Sequence, residues 1–308
     1  MVELLSPSQS EPHPSPRHQH KTGWKPRWDS ILITFLAIVG VTSLIYPTAS
    51  SWLSQYNQSE LIRIQQQEYP LDNEEFERVL ASAQEYNDAL TAGVYLGQNS
   101  HLPEGTGESE NPRLDYRKQL LAGNSRIMSR VVIPSIDVDL PIYHGTDEAT
   151  LLRGAGHLEG THLPIGGKST HAAITAHRGL AKAKFFSDLD KLAEGDLFNL
   201  VTLGETLTYQ IVETKVVLPE ETDTLEAVEG RDLVTLVTCT PLGINSHRIL
   251  VTGERITPTP EGQLQYTGDT YLPRFPWWMV IYGIGFIGSI YYLIYRGFKD
   301  PQRPYKAR

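Results

Sequence analysis

Two uncharged apolar segments, one near each end, constrain this chain before anything else does. Ile31 to Tyr46 (ILITFLAIVGVTSLIY) carries no charge, and neither does Trp277 to Tyr295 (WWMVIYGIGFIGSIYYLIY). The second is long enough to cross a bilayer and the first is short but within reach of it. Lys21, Lys25 and Arg27 precede the first, with Trp24 and Trp28 placed as an interfacial belt. Arg296, Lys299, Arg303, Lys306 and Arg308 follow the second. Positive charge marks the cytoplasmic side, so both ends belong inside and everything between them outside. A cleaved signal peptide is the alternative for the first segment, and Pro47 to Ser51 is not hostile to cleavage, but no small-x-small site ends it cleanly. An uncleaved anchor is the preferred reading.

The texture between the segments changes twice. Residues 1–23 are rich in Pro, Ser, Gln and His and suit a disordered tail. His13, His18 and His20 could hold a metal in principle, although a solvated tail is the simpler account. From 52 to 92 the apolar residues Leu61, Ile64, Tyr69, Phe76, Val79, Leu80, Ala83 and Tyr86 recur at three- and four-residue spacing, which predicts helix, broken near Pro70 and Asp72. Residues 97–113 (GQNSHLPEGTGESENPR) have no apolar period and suit a loop. From 126 to 256 short Val/Ile/Thr-rich runs alternate with turn signals, including Ser129–Pro134, Leu207–Val212, Leu233–Thr238 and Arg248–Thr252. Strands at that spacing suggest a closed β-barrel, with a short helix over Ala183 to Leu192.

The predicted architecture is therefore mainly β. A closed barrel with short helices follows an α-helical amino-terminal region, and two transmembrane helices flank them. The expected divisions are a cytoplasmic tail (1–30), a transmembrane helix (31–46), a helical stalk with its loop (47–125), the barrel (126–256), a connector (257–275), a second transmembrane helix (276–295) and a basic tail (296–308). The net charge of −9 argues against nucleic acid as a partner, because phosphate binding needs a basic face.

The chain has one cysteine, so no internal disulfide can form. A lone thiol is commonly buried and inert. Cys239, however, ends the strand pattern Thr235-Leu236-Val237-Thr238-Cys239, and Pro241 and Gly243 stop that strand just beyond it. A strand end beside a loop is a place where a thiol can meet a substrate. The thiolate is the nucleophile, and a nearby cation would raise its population. Arg248 opens the next predicted strand and could come alongside Cys239 to bind an oxyanion; equally, it could be a surface arginine paired with a carboxylate. His177, in Ile174-Thr175-Ala176-His177-Arg178-Gly179, also sits at a strand end and could serve as general acid. His247 is its nearest rival, but neighbours on a strand face opposite ways, so His247 and Arg248 should not enter one site.

These residues resemble the sortase family. Thr235 to Cys239 matches its TLxTC signature, Asn245 to Val251 is similar to the segment carrying its arginine, and the TAHRG run around His177 resembles its TGHRG. Further similarity lies in Ile142 to Thr146 and Gly156 to Thr161, and the whole resembles class C, the pilin-polymerising branch. The resemblance implies a thiol transpeptidase that cleaves an LPxTG-like sorting signal between Thr and Gly. Cys239 would attack, His177 would protonate the departing amine and Arg248 would hold substrate and oxyanion. A pilin lysine would resolve the acyl enzyme. Partners would be pilin or surface-protein substrates, and no metal or organic cofactor is implied.

Two features depart from that pattern. Ala176 stands where the family often has glycine, a small-for-small change. Residues 87–125 lack the Asp-Pro-aromatic triplet of many class C lids; Asn111-Pro112-Arg113 and Leu114-Asp115-Tyr116 are poor substitutes. Leu102-Pro103-Glu104-Gly105-Thr106-Gly107 resembles a sorting signal with one glycine inserted and could mimic substrate, though a flexible loop is the plainer account. A sortase anchoring proteins to peptidoglycan and a surface scaffold with an inert cysteine are the competing functions.

Overall fold

A computed structural model describes residues 24, 26–68, 73–91, 94–95, 104–105, 108–109, 115–121, 125–180, 182–221, 223–268, 270 and 273–299. The chain divides into two units, residues 45–278 and the two ends, 1–44 with 279–308. Two helices are apolar and long enough to cross a membrane, α1 (Trp28–Glu68) and α5 (Trp277–Lys299). The membrane-length part of each exposes large apolar side chains such as Leu36, Leu44, Ile284 and Ile287, a surface that water does not favour. Within the terminal unit the Thr42 hydroxyl lies 3.3 Å from that of Tyr282.

The first apolar segment and the first part of the stalk are one helix, and Pro47 lies inside it without ending it. The sequence period misplaces the buried face of its outer half. Leu61 and Ile64 are exposed, while Gln58, Ser59, Ile62 and Gln65 are buried. The reason is hydrogen bonding, since barrel loops present carbonyls that need donors. Gln65 Nε2 donates to Ile127 O at 2.9 Å, and Gln58 Nε2 reaches Arg153 O at 3.5 Å. The connector runs along the same helix, with Trp52 Nε1 donating to Arg274 O at 2.8 Å and Gln66 Nε2 to Gly268 O at 2.7 Å. Helix α2 (Asn73–Asp88) does follow the expected stripe, burying Val79, Ala83 and Tyr86 in the main core. Asn87 at its end clamps Leu163, accepting from its N–H at 2.7 Å and donating to its carbonyl at 3.3 Å.

Of the expected loop at 97–113, the described parts are short strands. β1 (Leu90–Thr91) pairs β4 (Glu108–Ser109), and β2 (Val94–Tyr95) pairs β3 (Glu104–Gly105). The rest of that loop, including most of the sorting-signal-like run and Asn111-Pro112-Arg113, lies outside the described residues, as do the tail histidines and the break at residues 69–72.

Eight strands then close a barrel: β5 (Ser129–Ile133), β6 (Val138–His144), β7 (Ala155–His157), β8 (Thr170–Thr175), β9 (Leu197–Thr202), β10 (Glu205–Val217), β11 (Asp232–Thr240) and β12 (His247–Arg255). Their order around it is β10-β12-β11-β8-β7-β6-β5-β9. The pairs β11–β8 and β6–β7 are parallel and the others antiparallel. Alternation sends Val131, Leu140, Ile174, Phe198, Tyr209, Leu236 and Val251 into one interior cluster. Arg130, 2% exposed, ties the connector to the barrel through Asp139 Oδ1 (2.7 Å) and Tyr266 O (3.0 Å).

The expected helix over Ala183 to Leu192 is instead a set of turns closed by a 3-10 turn at Leu189–Lys191. Phe185 has φ +37°, which a right-handed helix cannot accommodate, and the Phe186 N–H donates to His177 O at 3.1 Å. The segment thereby folds back on the end of β8. Two four-residue helices, α3 (Glu148–Leu151) and α4 (Glu261–Leu264), lie after β6 and after β12.

Candidate active site

Strand β11 explains how three distant residues meet. Its antiparallel partner is β12, and the register pairs Cys239 with Arg248. Directly opposed residues of such a pair share a face. On its other side β11 runs parallel to β8, with Val237 opposite Thr175. The chain stays alongside β11 past the end of β8: Ala176 N–H donates to Val237 O at 3.2 Å, and Thr238 Oγ1 to Ala176 O at 2.8 Å. Two residues on from the Thr175–Val237 pair stand His177 and Cys239.

The face is the outer one. Ile174, Ala176, Val234, Leu236, Ile249 and Val251 point into the barrel. The alternate residues Ala173, Val237 and Leu250 form a separate cluster with Leu158, Val217 and Leu225, and this makes an apolar floor beneath the site. His177, Cys239 and Arg248 continue that outer face to the strand ends. His247 pairs with Thr240, is half-buried and takes Ser246 Oγ on its Nδ1 at 2.8 Å; it does not share the face of Arg248.

Arg248 is fully buried, and Cys239 is 8% exposed. Arg248 Nη1 donates to Asn245 O (2.8 Å) and His247 O (3.1 Å), which fixes the guanidinium; Asn245 is left-handed at φ +57°, a conformation asparagine tolerates. Burial pushes the Cys239 thiol above its ordinary value, and the positive charge of Arg248 opposes that rise. The thiol therefore rests mostly protonated, and attack on a carbonyl requires a proton acceptor at hand.

Glu148 is a site residue that sequence reasoning missed. Its Oε2 lies 3.6 Å from His177 Nε2, close enough for an ion pair when the imidazole is protonated. It stands in the first turn of α3, capped by Asp147, whose carboxylate accepts from Thr150 N–H at 3.0 Å and Thr150 Oγ1 at 2.8 Å. Its only sequence signal was its place just after the Ile142 to Thr146 run.

Tyr116 was also missed, noted only within Leu114-Asp115-Tyr116. Its hydroxyl accepts from Gly145 N–H at 3.0 Å and lies 2.9 Å from His157 Nδ1. His157 Nε2 sits 2.8 Å from His162 O, so Nε2 carries the proton and Nδ1 accepts from Tyr116. Burial drives His157 down to about 3 and keeps it neutral. The chain is close-packed here, and a Cβ on Gly156 would collide with the Gly145 carbonyl. Tyr116 thus holds the turn that presents Glu148. His144, His162 and His171 likewise have structural partners, and burial lowers all three. Among the described residues no cluster of His, Cys, Asp and Glu could hold a metal ion.

Residues 131–256 match the sortase domain family. About three fifths of the chain is similar to solved structures. One is sortase C-1 from Actinomyces oris, with 47% identity, 59% of this chain and 98% of that chain covered, and a TM-score of 0.52. Another is Group B Streptococcus pilus island 1 sortase C2, with 44% identity, 60% and 99% coverage, and a TM-score of 0.53. Sortase A of Bacillus anthracis is 27% identical over 232 residues, covering 75% of this chain and 96% of that protein.

Proposed function

Since this chain belongs to the sortase family of cysteine transpeptidases, we propose that it is a class C enzyme that joins pilin subunits, with Cys239 as nucleophile, His177 as acid and base, and Arg248 as the cation that binds substrate and oxyanion. The observation that supports this reading is the register of β8, β11 and β12: Cys239 is paired with Arg248, and His177 follows two residues after the Thr175–Val237 pair. The likeness to sortases C, one of them from a pilus island, supports the class.

The thiol proton passes to His177, and the thiolate attacks the threonine carbonyl of an LPxTG-like signal. Negative charge develops on the carbonyl oxygen, where the buried guanidinium of Arg248 is already held in place and needs no reorganisation. The C–N bond breaks, His177 gives its proton to the glycine amine, and a thioester on Cys239 remains. A lysine amine of the next subunit then attacks the thioester and loses a proton to His177. An isopeptide bond forms and the thiolate departs. Glu148 stabilises the imidazolium that both half-reactions pass through.

In this arrangement both helices cross the membrane, the chain ends are cytoplasmic and the barrel is outside. Residues 126–256 form the catalytic domain, with residues 47–125 as the helical region and possible lid before it. The test is the intact mass of the protein after exposure to a panel of sorting peptides. A thioester adduct on Cys239 that a lysine-bearing pilin peptide discharges is expected, and Cys239→Ala abolishes both it and the pilus ladder. An adduct that persists in Cys239→Ala overturns the proposed nucleophile; discharge by peptidoglycan-type amines alone overturns the pilin acceptor.

A further inference from the structure

Away from the site, the unit of residues 45–278 contains a cavity of about 970 Å³. Three parts of the chain that adjoin the membrane in sequence line it. Pro47, Thr48 and Ser51 come directly after the apolar run of α1; Arg274, Phe275 and Pro276 precede α5; and Trp277 and Trp278 open α5. The β5–β6 hairpin and the turns after β8 complete the wall, through Val138, Leu180 and Phe185.

We infer that this cavity binds a membrane phospholipid, with the glycerol and upper acyl chain against the aromatic wall and the phosphate at Arg274. The inference rests on the reading that α1 and α5 cross the membrane. If they do, covalent continuity alone puts Pro47, Thr48, Trp277 and Trp278 in the headgroup layer, roughly 5–8 Å thick on each side. The wall has the composition of that layer. Trp52 stacks on Tyr56 at 5.5 Å and meets Trp278 edge-on at 6.2 Å, and rings with one polar edge favour the interface. The size falls in the range of sites for small ligands, about 300–1,000 Å³.

Charge points to the phosphate. The Arg274 side chain is 91% exposed, and its contact with Asp137 is a single one at 3.4 Å. A guanidinium has five N–H donors, so a phosphate can take it bidentately while Asp137 keeps its one contact and stays neutralised. Lys184 adds a second cation to the wall, although its Nζ already donates to Ile136 O at 2.6 Å and pairs with Asp188 at 3.4 Å, so Arg274 carries the phosphate. Asp139 is engaged by Arg130 and does not repel an incoming anion as a bare carboxylate would. The cavity wall is joined to the candidate site through the backbone. Phe185 in its wall precedes Phe186, whose N–H donates to His177 O, and Ser187 Oγ accepts from Gly179 N–H at 3.0 Å.

The full chain in phospholipid nanodiscs, doped with a phospholipid bearing a photoreactive group near the glycerol, tests this. Crosslinks are expected on Leu180, Phe185 or Val138, which line the cavity and lie in neither apolar helix. Diacylglycerol with the same chains should crosslink several-fold less there, and so should Ser51→Trp, which fills the cavity, and Arg274→Glu, which repels phosphate. Cleavage of a soluble sorting peptide by both variants shows that they fold. Crosslinks confined to α1 before residue 47 and to α5, or equal yields from diacylglycerol, overturn the inference. Competition by inorganic phosphate would show an anion site and not a lipid site, and would overturn it too. Carbonate extraction separates the two readings: release of the chain from membranes rejects the spans, whereas retention without the crosslinks rejects the cavity alone.

Discussion

The two faces of β8, β11 and β12 differ in what their residues do, although they alternate along the same strands. Inward, Ile174, Leu236 and Ile249 are near-fully buried among other apolar groups. Outward, His177, Cys239 and Arg248 are nearly as buried, yet polar and ionisable. Burial removes water from both faces. For leucine that is the stabilising term. For a thiol and a guanidinium it is a cost, and that cost raises the Cys239 thiol and makes the Arg248 charge felt across the register pair. Equal burial therefore stabilises the fold on one side of the sheet, while on the other it disfavours the thiolate, a cost that the Arg248 charge opposes.

Breaking each face separately tests the contrast. Arg248→Lys keeps a positive charge but loses the fork, so turnover of a sorting peptide should fall about 100- to 1,000-fold, the loss seen when one oxyanion donor is removed, with little change in melting temperature. An unchanged rate would show that the guanidinium geometry is irrelevant. Leu236→Ala should do the reverse, costing about 2–5 kcal/mol in denaturant unfolding while folded molecules keep their rate. A rate loss matching the Arg248 variant would dissolve the distinction.

Acid sharpens the comparison on the structural side. Burial lowers His144, His157, His162 and His171, so each binds its proton more tightly unfolded than folded. The sign follows: their contribution is present above the ordinary histidine value, near 6.5, and is lost as pH falls toward the depressed values, about 3 for His157. Melting temperature should drop steadily below pH 6.5 with more than one proton taken up on unfolding, and a flat profile between pH 6.5 and 4 would contradict it. The smallest effect belongs to Glu148→Gln. Its exposed carboxylate pairs with His177 across 3.6 Å, and such pairs contribute about 0.2–1 kcal/mol. The rate should fall no more than about fivefold, and the pH profile of turnover should shift while melting does not. Glu148→Asp should recover part of the rate.

Much of this was legible in local pattern. The strands at Ser129 and Leu233 stand where the Val/Ile/Thr-rich runs between turn signals put them. Cys239 sits one residue from the end of β11, as Pro241 and Gly243 require. The helix expected over Ala183 to Leu192 failed because its segment is spent on the His177 carbonyl, a partner no local period announces. The buried face of outer α1 was misjudged for a related reason: glutamine donors answered carbonyls at Ile127 and Arg153, far along the chain.

The sequence by itself determined that neighbours such as His247 and Arg248 face opposite ways on a strand, where the apolar segments lie and that one thiol ends a strand before a turn. A period of two or 3.6 residues is enough for these, because each depends only on neighbours in the chain. Tertiary structure alone decided which strands are neighbours. Barrel closure lays β8 parallel to β11, setting His177 beside a cysteine 62 residues on, and it brings Glu148 to His177 and Tyr116 to His157. Those meetings arise from packing a whole sheet around one core, and no local pattern in the chain encodes that packing.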